Sequence, residues 1–240
     1  NILTNLQESD VKIKIIPDLY NILTGQVKMN SILHAALIEI TIGNLSSWQI
    51  FTKRIIDIIV SFFILTLGSP FYLILAILVK TNSKGPVFFY QERIGLRGKP
   101  FNIVKFRSMY IDAEKDGPAL SKEKDKRITP IGIFLRKSRL DETPQFWNVL
   151  KGEMSIVGPR PERAFFIDQI ILQAPQYKYL HKVKPGITSW GQVKYGYAEN
   201  VNEMIDRLKF DLIYMENRSI LVDLKILIHT IIVVIQGRGK

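Results

Sequence analysis

Residues 55–79 form a run of 25 residues that contains a single charged side chain, Asp57, and this run constrains the fold more than any other feature. At about 1.5 Å per residue, a helix of this length covers roughly 37 Å, which is enough to cross the hydrocarbon layer of a bilayer. Hydropathy alone favours a membrane-spanning helix. The run therefore predicts that the protein meets a membrane.

Two features of the same run favour a helix that enters and leaves the membrane on one side. Pro70 lies in the middle, where proline removes a backbone donor and a kink is expected, and the hydroxyl of Ser69 is expected to satisfy part of the freed carbonyls. Positive charge prefers the cytoplasmic side of a membrane. Basic residues flank both ends: Lys53, Arg54, Lys80 and Lys84. On the sequence alone, a re-entrant helix over residues 51–84 and a spanning helix are equally supported.

The chain carries 33 Lys plus Arg against 22 Asp plus Glu, a net charge of +11, so its partners are expected to be anionic. Anionic lipid and phosphorylated metabolites fit that sign. Nucleic acid is not predicted, because the aromatic residues lie in apolar runs rather than among Lys and Arg. The sequence contains no cysteine and no P-loop, dinucleotide-binding, zinc-protease or nucleophile-elbow motif. The chemistry must therefore rest on carboxylates, Lys, Arg and hydroxyl groups.

The remaining sequence predicts an α/β protein in two parts. Residues 1–50 show a strand, helix and strand pattern that is too short for an independent core, so we interpret them as the end of a longer domain. The chain begins with Asn1, which also suggests that sequence precedes it. Residues 85–240 form a mixed block with strand-like runs at 87–90 and 101–104, a charged loop at 112–127 and a helical pattern at 201–216. Residues 221–235 favour a helix lying in the membrane interface, with a buried core helix as the alternative.

The densest cluster of candidate functional residues surrounds Asp141 and Glu142. Thr143 followed by Pro144 predicts a helix start there, and Gly152 predicts the helix end. Acidic residues near a helix start are common because the helix dipole favours them, so a purely structural role is open. Three cations crowd the two carboxylates: Arg136, Lys137 and Arg139. Carboxylates that bind Mg²⁺ beside guanidinium groups that bind phosphate would produce the same pattern.

Further basic and polar residues are candidate phosphate contacts. Arg160 lies between two prolines, which fix the backbone on both sides and aim the cation. Strand alternation places Lys105 and Arg107 on one face, and Gln91 and Arg93 share a face in the same way. A rigid turn and solvent-facing strand edges are the structural alternatives. The sequence therefore indicates a site for an anionic ligand without fixing its members.

The combination of these motifs resembles the bacterial sugar transferase family, the monotopic polyprenyl-phosphate phosphoglycosyltransferases. The resemblance extends over residues 51–240 in the order and spacing of the family. It rests on Lys53-Arg54 with Asp57, Ser69-Pro70, Lys105-Phe106-Arg107-Ser108-Met109, Leu140-Asp141-Glu142-Thr143-Pro144-Gln145, Gly158-Pro159-Arg160-Pro161 and Lys184-Pro185-Gly186-Ile187-Thr188. It implies that residues 1–50 are the end of a Rossmann-like, nucleotide-binding-like domain, 51–84 a re-entrant membrane helix and 85–240 the catalytic domain.

The resemblance implies transfer of a sugar 1-phosphate from a UDP-sugar to undecaprenyl phosphate, with release of UMP, as the first step of exopolysaccharide, capsule or O-antigen repeat-unit synthesis. Asp141 matches the family's nucleophile, which forms a covalent phosphosugar ester. Glu142 matches its partner carboxylate, and the two are the expected Mg²⁺ ligands. The expected location is the bacterial inner membrane, in contact with its lipid and with the active site on the cytoplasmic face.

Other positions are matched residue by residue. Arg136 and Arg160 match phosphate-binding arginines, Lys105 and Asp211 match further polar positions of the site, and Ser69-Pro70 matches the break that makes the family's membrane helix re-entrant. Two rival hypotheses stay open: a non-catalytic, membrane-anchored basic docking protein, and a one-step transferase in which Asp141 only binds metal. The sequence does not fix the oligomeric state, and a homo-oligomer is compatible with it.

Overall fold

The computed structural model describes residues 45–115, 117–121 and 125–236, together with the short strands β1 (Lys14–Ile15) and β2 (Ile38–Glu39). The chain divides into two compact units, Asn1–Asn44 and Leu45–Lys240. In the first unit β1 pairs antiparallel with β2, whereas neighbouring strands of a Rossmann-like domain run parallel. The Rossmann-like interpretation is therefore not confirmed, and the rest of its residues up to 44 lie outside the described residues.

The second unit begins with one long helix, α1 (Ser47–Asn82). It starts before the predicted residue 51 because a capping interaction precedes the apolar run: the Ser46 N–H donates to Gln49 Oε1 at 3.1 Å. Pro70 lies inside α1 with helical residues on both sides, and the bend expected at Ser69-Pro70 stays a prediction. Ser69 Oγ donates to the Thr66 carbonyl at 2.8 Å, and this is the carbonyl that Pro70 leaves without its backbone donor. The expected role of Ser69 is thereby confirmed.

The surface of α1 is unusually apolar for a helix with so little covering it. Its most apolar 18-residue window has a mean hydropathy of 2.3, yet only 11% of that window is buried. Within the described residues it is the one helix long and apolar enough to cross a membrane. A core helix of a water-soluble protein would bury this face, because exposed apolar area is unfavourable by about 25 cal/mol per Å². The protein is therefore membrane-associated.

The rest of the second unit is a mixed α/β fold with two separate two-stranded sheets. The strands are β3 (Phe88–Ile94), β4 (Pro100–Phe106), β5 (Ser155–Val157) and β6 (Gly186–Thr188). The α-helices are α2 (Pro130–Lys137), α3 (Phe146–Lys151), α4 (Ala164–Gln173), α5 (Trp190–Lys194), α6 (Val201–Glu216) and α7 (Ile220–Ile235), and 3₁₀-helices occupy Leu96–Gly98, Leu140–Gln145 and Pro175–Lys182. β3 pairs antiparallel with β4, and β5 pairs parallel with β6. The strand-like runs and the helix at 201–216 are thereby confirmed.

Polar side chains near the start of α1 bind the α/β fold directly. The Arg54 guanidinium donates to the last carbonyls of α3 at 2.6 and 2.9 Å. Asp57 is buried and accepts from the Ile156 N–H of β5 at 3.1 Å, and Lys53 Nζ donates to the Val157 carbonyl at 3.0 Å. Lys53 and Arg54, which the sequence predicted as a basic flank of the membrane helix, therefore connect α1 to the rest of the second unit.

Arg107 anchors the other end of α1. Leu75 and Val79 are buried in one cluster with residues of β4 and α2. The buried Arg107 guanidinium donates to the carbonyls of Lys84 at 2.6 Å and Ser83 at 2.7 Å, just beyond the helix end. These carbonyls have no helical donor, so the arginine satisfies them. Arg107 therefore stabilises the end of α1, and its binding to phosphate is a prediction that no contact here supports.

We expect Arg107→Gln to lower the free energy of unfolding by about 2 kcal/mol, because it removes charge-assisted hydrogen bonds to partly buried carbonyls at the end of α1. Thermal unfolding in detergent, followed by circular dichroism, measures the change. Lys99→Gln is the matched control, since Lys99 is exposed, and it should leave the unfolding midpoint unchanged. An Arg107→Gln protein as stable as the control would contradict the anchoring role.

Candidate active site

The acidic pair lies in a 3₁₀-helix, Leu140–Gln145, which we call the acidic turn. The predicted helix start at Thr143 is wrong: the turn begins at Leu140, and Thr143 Oγ1 donates back to the Leu140 carbonyl at 2.8 Å. Arg139 precedes the turn in the left-handed conformation, with φ 59°, which is unfavourable for a residue with a side chain. The predicted end is confirmed, because α3 stops at Lys151 and Gly152 adopts φ 88°.

The acidic turn borders a large cavity of about 560 Å³. This volume lies within the range of about 300–1,000 Å³ that is typical of small-molecule sites. Eight cations line the large cavity: Arg93, Lys105, Arg107, Lys115, Arg136, Arg160, Arg163 and Arg207. Four acidic residues line it as well: Asp112, Glu114, Asp141 and Glu162. The excess of positive charge suits an anionic ligand such as a diphosphate.

Glu142 is the carboxylate on which the nearby cations converge. Its Oε1 accepts from Lys105 Nζ at 2.6 Å and from Arg160 at 3.3 Å. Its Oε2 lies 3.4 Å from Arg139. Burial opposes ionisation of Glu142, but the three cations outweigh it and hold the pKa of the carboxyl well below its usual range. Glu142 is therefore ionised and fixed in position.

Asp141 differs from Glu142 because no cation among the described residues binds it directly. The residue is buried, and its Oδ1 accepts no hydrogen bond from any described residue. Burial, followed by the negative charge of Glu142, raises the pKa of Asp141 to about 6, while Lys105, Arg139 and Arg136 act in the opposite direction. Asp141 is therefore mostly ionised at neutral pH.

Glu162 organises a second group of cations, and sequence reasoning missed it. Its carboxylate binds Arg93 at 2.9 Å and Arg207 at 2.5 Å, and lies 3.7 Å from Arg160 Nε. The pKa of Glu162 is lowered because these three arginines together outweigh its burial. Arg160 therefore lies between Glu142 and Glu162, and the two carboxylates fix its position. The only local sign in the sequence is that Glu162 follows the Pro-Arg-Pro motif.

The structure brings most of the predicted site residues together. Gln91, Arg93, Lys105, Arg136 and Arg160 all line the large cavity with Asp141. Gln91 also binds another of these residues, since its Oε1 accepts from the Arg93 guanidinium at 2.5 Å.

Asp211 does not line the large cavity. It is buried and accepts from the Gly191 N–H at 2.9 Å, and burial raises the pKa of Asp211 to about 6. A direct contact between Asp211 and a ligand thus stays a prediction.

The acidic pair fits a Mg²⁺ ion that is bound mainly by ligands other than protein. Among the described residues no group of three or more His, Asp or Glu side chains could hold a metal. Mg²⁺ commonly uses one or two carboxylates and completes its shell with water and substrate phosphates. Asp141 supplies the unpartnered Oδ1, and Glu142 supplies Oε2, whose contact with Arg139 is long. The donor set therefore fits Mg²⁺ once a phosphate ligand is bound.

The fold and the site together define a membrane-associated α/β protein whose buried carboxylate pair faces a basic cavity. The sequence model of the family described as "Bacterial sugar transferase" matches residues 48–237. The chain belongs to this family.

Curated relatives agree with the family assignment. The chain is 42% identical to a UDP-N-acetylgalactosamine-undecaprenyl-phosphate N-acetylgalactosaminephosphotransferase of Aeromonas hydrophila, over 90% of this chain and 51% of the relative. It is 39% identical to a UDP-glucose:undecaprenyl-phosphate glucose-1-phosphate transferase of Klebsiella pneumoniae, over 96% and 50%. It is 38% identical to a Bacillus subtilis protein named uncharacterized sugar transferase EpsL, over 78% and 89%. The chain thus spans about half the length of the first two.

We expect Glu162→Gln to destabilise the fold by about 3 kcal/mol, because it leaves buried arginines without their counter-charge. Asp206→Asn is the matched control: Asp206 forms an exposed pair with Lys209, and such pairs contribute less than about 1 kcal/mol. Denaturant unfolding in mild detergent measures both variants. Equal stability of the two would show that the Glu162 cluster does not support the site.

Proposed function

We propose that the protein transfers a sugar 1-phosphate from a UDP-sugar to undecaprenyl phosphate and releases UMP. The observation that carries this proposal is the state of Asp141, which is buried, largely ionised at neutral pH and unpartnered at Oδ1 beside a basic cavity. A carboxylate needed only for structure would have its oxygens paired. The printed names of the relatives, which describe this class of transfer, support the same reaction.

In the proposed mechanism a carboxylate oxygen of Asp141 attacks the phosphorus that carries the sugar. The bond between this phosphorus and the oxygen that bridges to the uridine phosphate breaks, and UMP leaves with that oxygen. The sugar phosphate is then bound to Asp141 through the carboxylate oxygen. An oxygen of the lipid phosphate then attacks the same phosphorus, which forms the lipid diphosphate sugar and regenerates the carboxylate. Each step exchanges one phosphorus–oxygen bond for another.

The cations around Asp141 position the phosphates and neutralise their charge, which is the main requirement of phosphoryl transfer. Arg160 is suited to this because two carboxylates fix its guanidinium. Arg136 lines the same cavity near Asp141. Mg²⁺ held by Asp141 and Glu142 would stabilise negative charge on the transferring phosphoryl group. Glu142, already bound by Lys105, keeps its position while Asp141 reacts.

We propose only the class of the donor, a UDP-sugar, and not the particular sugar. Two relatives that match most of this chain differ in the sugar named, one N-acetylgalactosamine and the other glucose. The product would serve as the first lipid-linked unit of an exopolysaccharide, capsule or O-antigen. The proposed location is the inner membrane, with the site on its cytoplasmic face, where UDP-sugars are made.

We also propose that both ends of α1 lie on one side of the membrane, as in a re-entrant helix. Arg54 near one end binds α3, and Val79 near the other packs against Leu135 of α2. α2 and α3 are joined by the short acidic turn, so the two ends of α1 hold neighbouring parts of one compact unit. A helix with its ends on opposite sides would separate these parts by a hydrocarbon layer about 30 Å thick.

Asp141→Asn should reduce UMP release by at least about 10³-fold, because an amide cannot replace the carboxylate nucleophile. The assay incubates the chain in nanodiscs with Mg²⁺, undecaprenyl phosphate and a panel of UDP-sugars. In the absence of the lipid, a UDP-sugar with a radiolabelled sugar should leave label on the wild-type protein and none on the variant.

Asp206→Asn, an exposed carboxylate, is the control for this experiment. Full activity of a folded Asp141→Asn protein would contradict the proposed nucleophile. Turnover by the wild type with no protein-bound label would instead indicate transfer in one step. Absence of turnover with every UDP-sugar would favour the docking-protein hypothesis.

The topology of α1 can be tested with two single-cysteine variants, Ser46→Cys and Lys84→Cys. The chain has no native cysteine, and both positions are exposed near the ends of α1. We expect a membrane-impermeant maleimide to label both variants in inside-out vesicles and neither in intact spheroplasts. Labelling of the two positions from opposite sides would show that α1 spans the membrane.

A further inference from the structure

A second cavity, of about 90 Å³, also borders the acidic turn, and we call it the small cavity. Its apolar lining residues are Phe146, Ile187, Val193, Val233 and Val234. Glu142 and Arg139 line the small cavity, whereas Asp141 lines the large one. The two cavities meet at the acidic turn, because Lys105 and Arg160, which bind Glu142, line the large cavity.

The small cavity is separated from the apolar outer surface by one helix. Val233 and Val234 of α7 line the cavity, while Ile232 and Ile235 beside them are 42% and 79% exposed. Ile231 is also 59% exposed on the same helix. This outer face exposes three isoleucines and suits contact with lipid. A lipid chain therefore has only to pass α7 to reach the acidic turn.

Arg139 is the cation on the wall of the small cavity. Its guanidinium donates to the Tyr197 hydroxyl at 2.9 Å through Nη1 and approaches Glu142 only at 3.4 Å through the same atom. Arg139 thus has donors left for an anion.

We infer that the small cavity binds the first isoprene unit of the lipid acceptor, with Arg139 contacting its phosphate. The inference rests on the proposed function and adds to it the place where the second substrate enters. An isoprene unit is apolar and branched, as the valine and isoleucine walls require. Its phosphate would lie at Arg139, which directly precedes the acidic turn that carries Asp141.

The size of the small cavity agrees with this occupant. A volume of about 90 Å³ leaves room for a short branched apolar group and not for a longer part of the chain. The rest of a polyprenyl chain would have to leave past α7 into the membrane. The cavity is too small for a nucleotide, which the large cavity accommodates.

The test is a comparison of Michaelis constants for the two substrates. Val234→Phe fills the small cavity and should raise the KM for undecaprenyl phosphate at least fivefold, while the KM for the UDP-sugar changes less than twofold. Val234→Ala, which removes contacts without adding bulk, should raise the acceptor KM about twofold in the same assay. The matched control is Leu172→Phe, at an exposed position of α4 that lines neither cavity, which should change neither constant. A thermal unfolding curve establishes that each variant is folded.

Arg139→Gln provides an independent measurement, since it removes the charge at the cavity wall and should also raise the acceptor KM more than the donor KM. Unchanged acceptor KM in Val234→Phe, or an equal rise in both constants, would overturn the inference while the proposed function stands. A wild-type chain without transferase activity would instead overturn the proposed function, and the inference with it.

Discussion

The site depends on one arrangement of charge, the ionised Glu142 bound by Lys105, Arg139 and Arg160. These cations bind Glu142, and no direct ion pair to Asp141 occurs among the described residues. The negative charge of Glu142 helps to raise the pKa of Asp141. A nucleophilic carboxylate held in a tight ion pair would be less reactive, because its electrons would be stabilised by the cation. Two adjacent carboxylates can thus have different roles, one binding cations and one available to react.

The membrane helix and the site are parts of one unit. Arg54 and Asp57 of α1 bind α3 and β5, and Arg107, two residues after Lys105, binds the far end of α1. The depth of α1 in the membrane therefore sets the depth of the acidic turn. This explains why an otherwise apolar helix carries a buried aspartate. Asp57 binds the α/β part of the second unit and is not an unpaired charge in lipid.

The sequence predicted the acidic pair, Lys105 and Arg160 as members of one site, and the structure brings them together around the large cavity or its edge. It could not predict Glu162, because its partner Arg207 is 45 residues away and only the tertiary fold joins them. Arg107 shows a related limit. Strand alternation predicts the face on which a side chain lies, but it does not reveal that the end of α1, with unsatisfied carbonyls, lies on that face.

The geometry of the acidic turn explains how two neighbouring residues border two cavities. A 3₁₀-helix has three residues per turn, so successive side chains diverge by about 120°. Asp141 lines the large cavity and Glu142 the small one. The left-handed backbone of Arg139, which is unfavourable by about 1–3 kcal/mol, starts this turn and is retained beside the acidic pair. The proposed reaction joins a water-soluble donor to a membrane-bound acceptor and needs access from both media, and an acidic turn that borders both cavities would give that access within two residues.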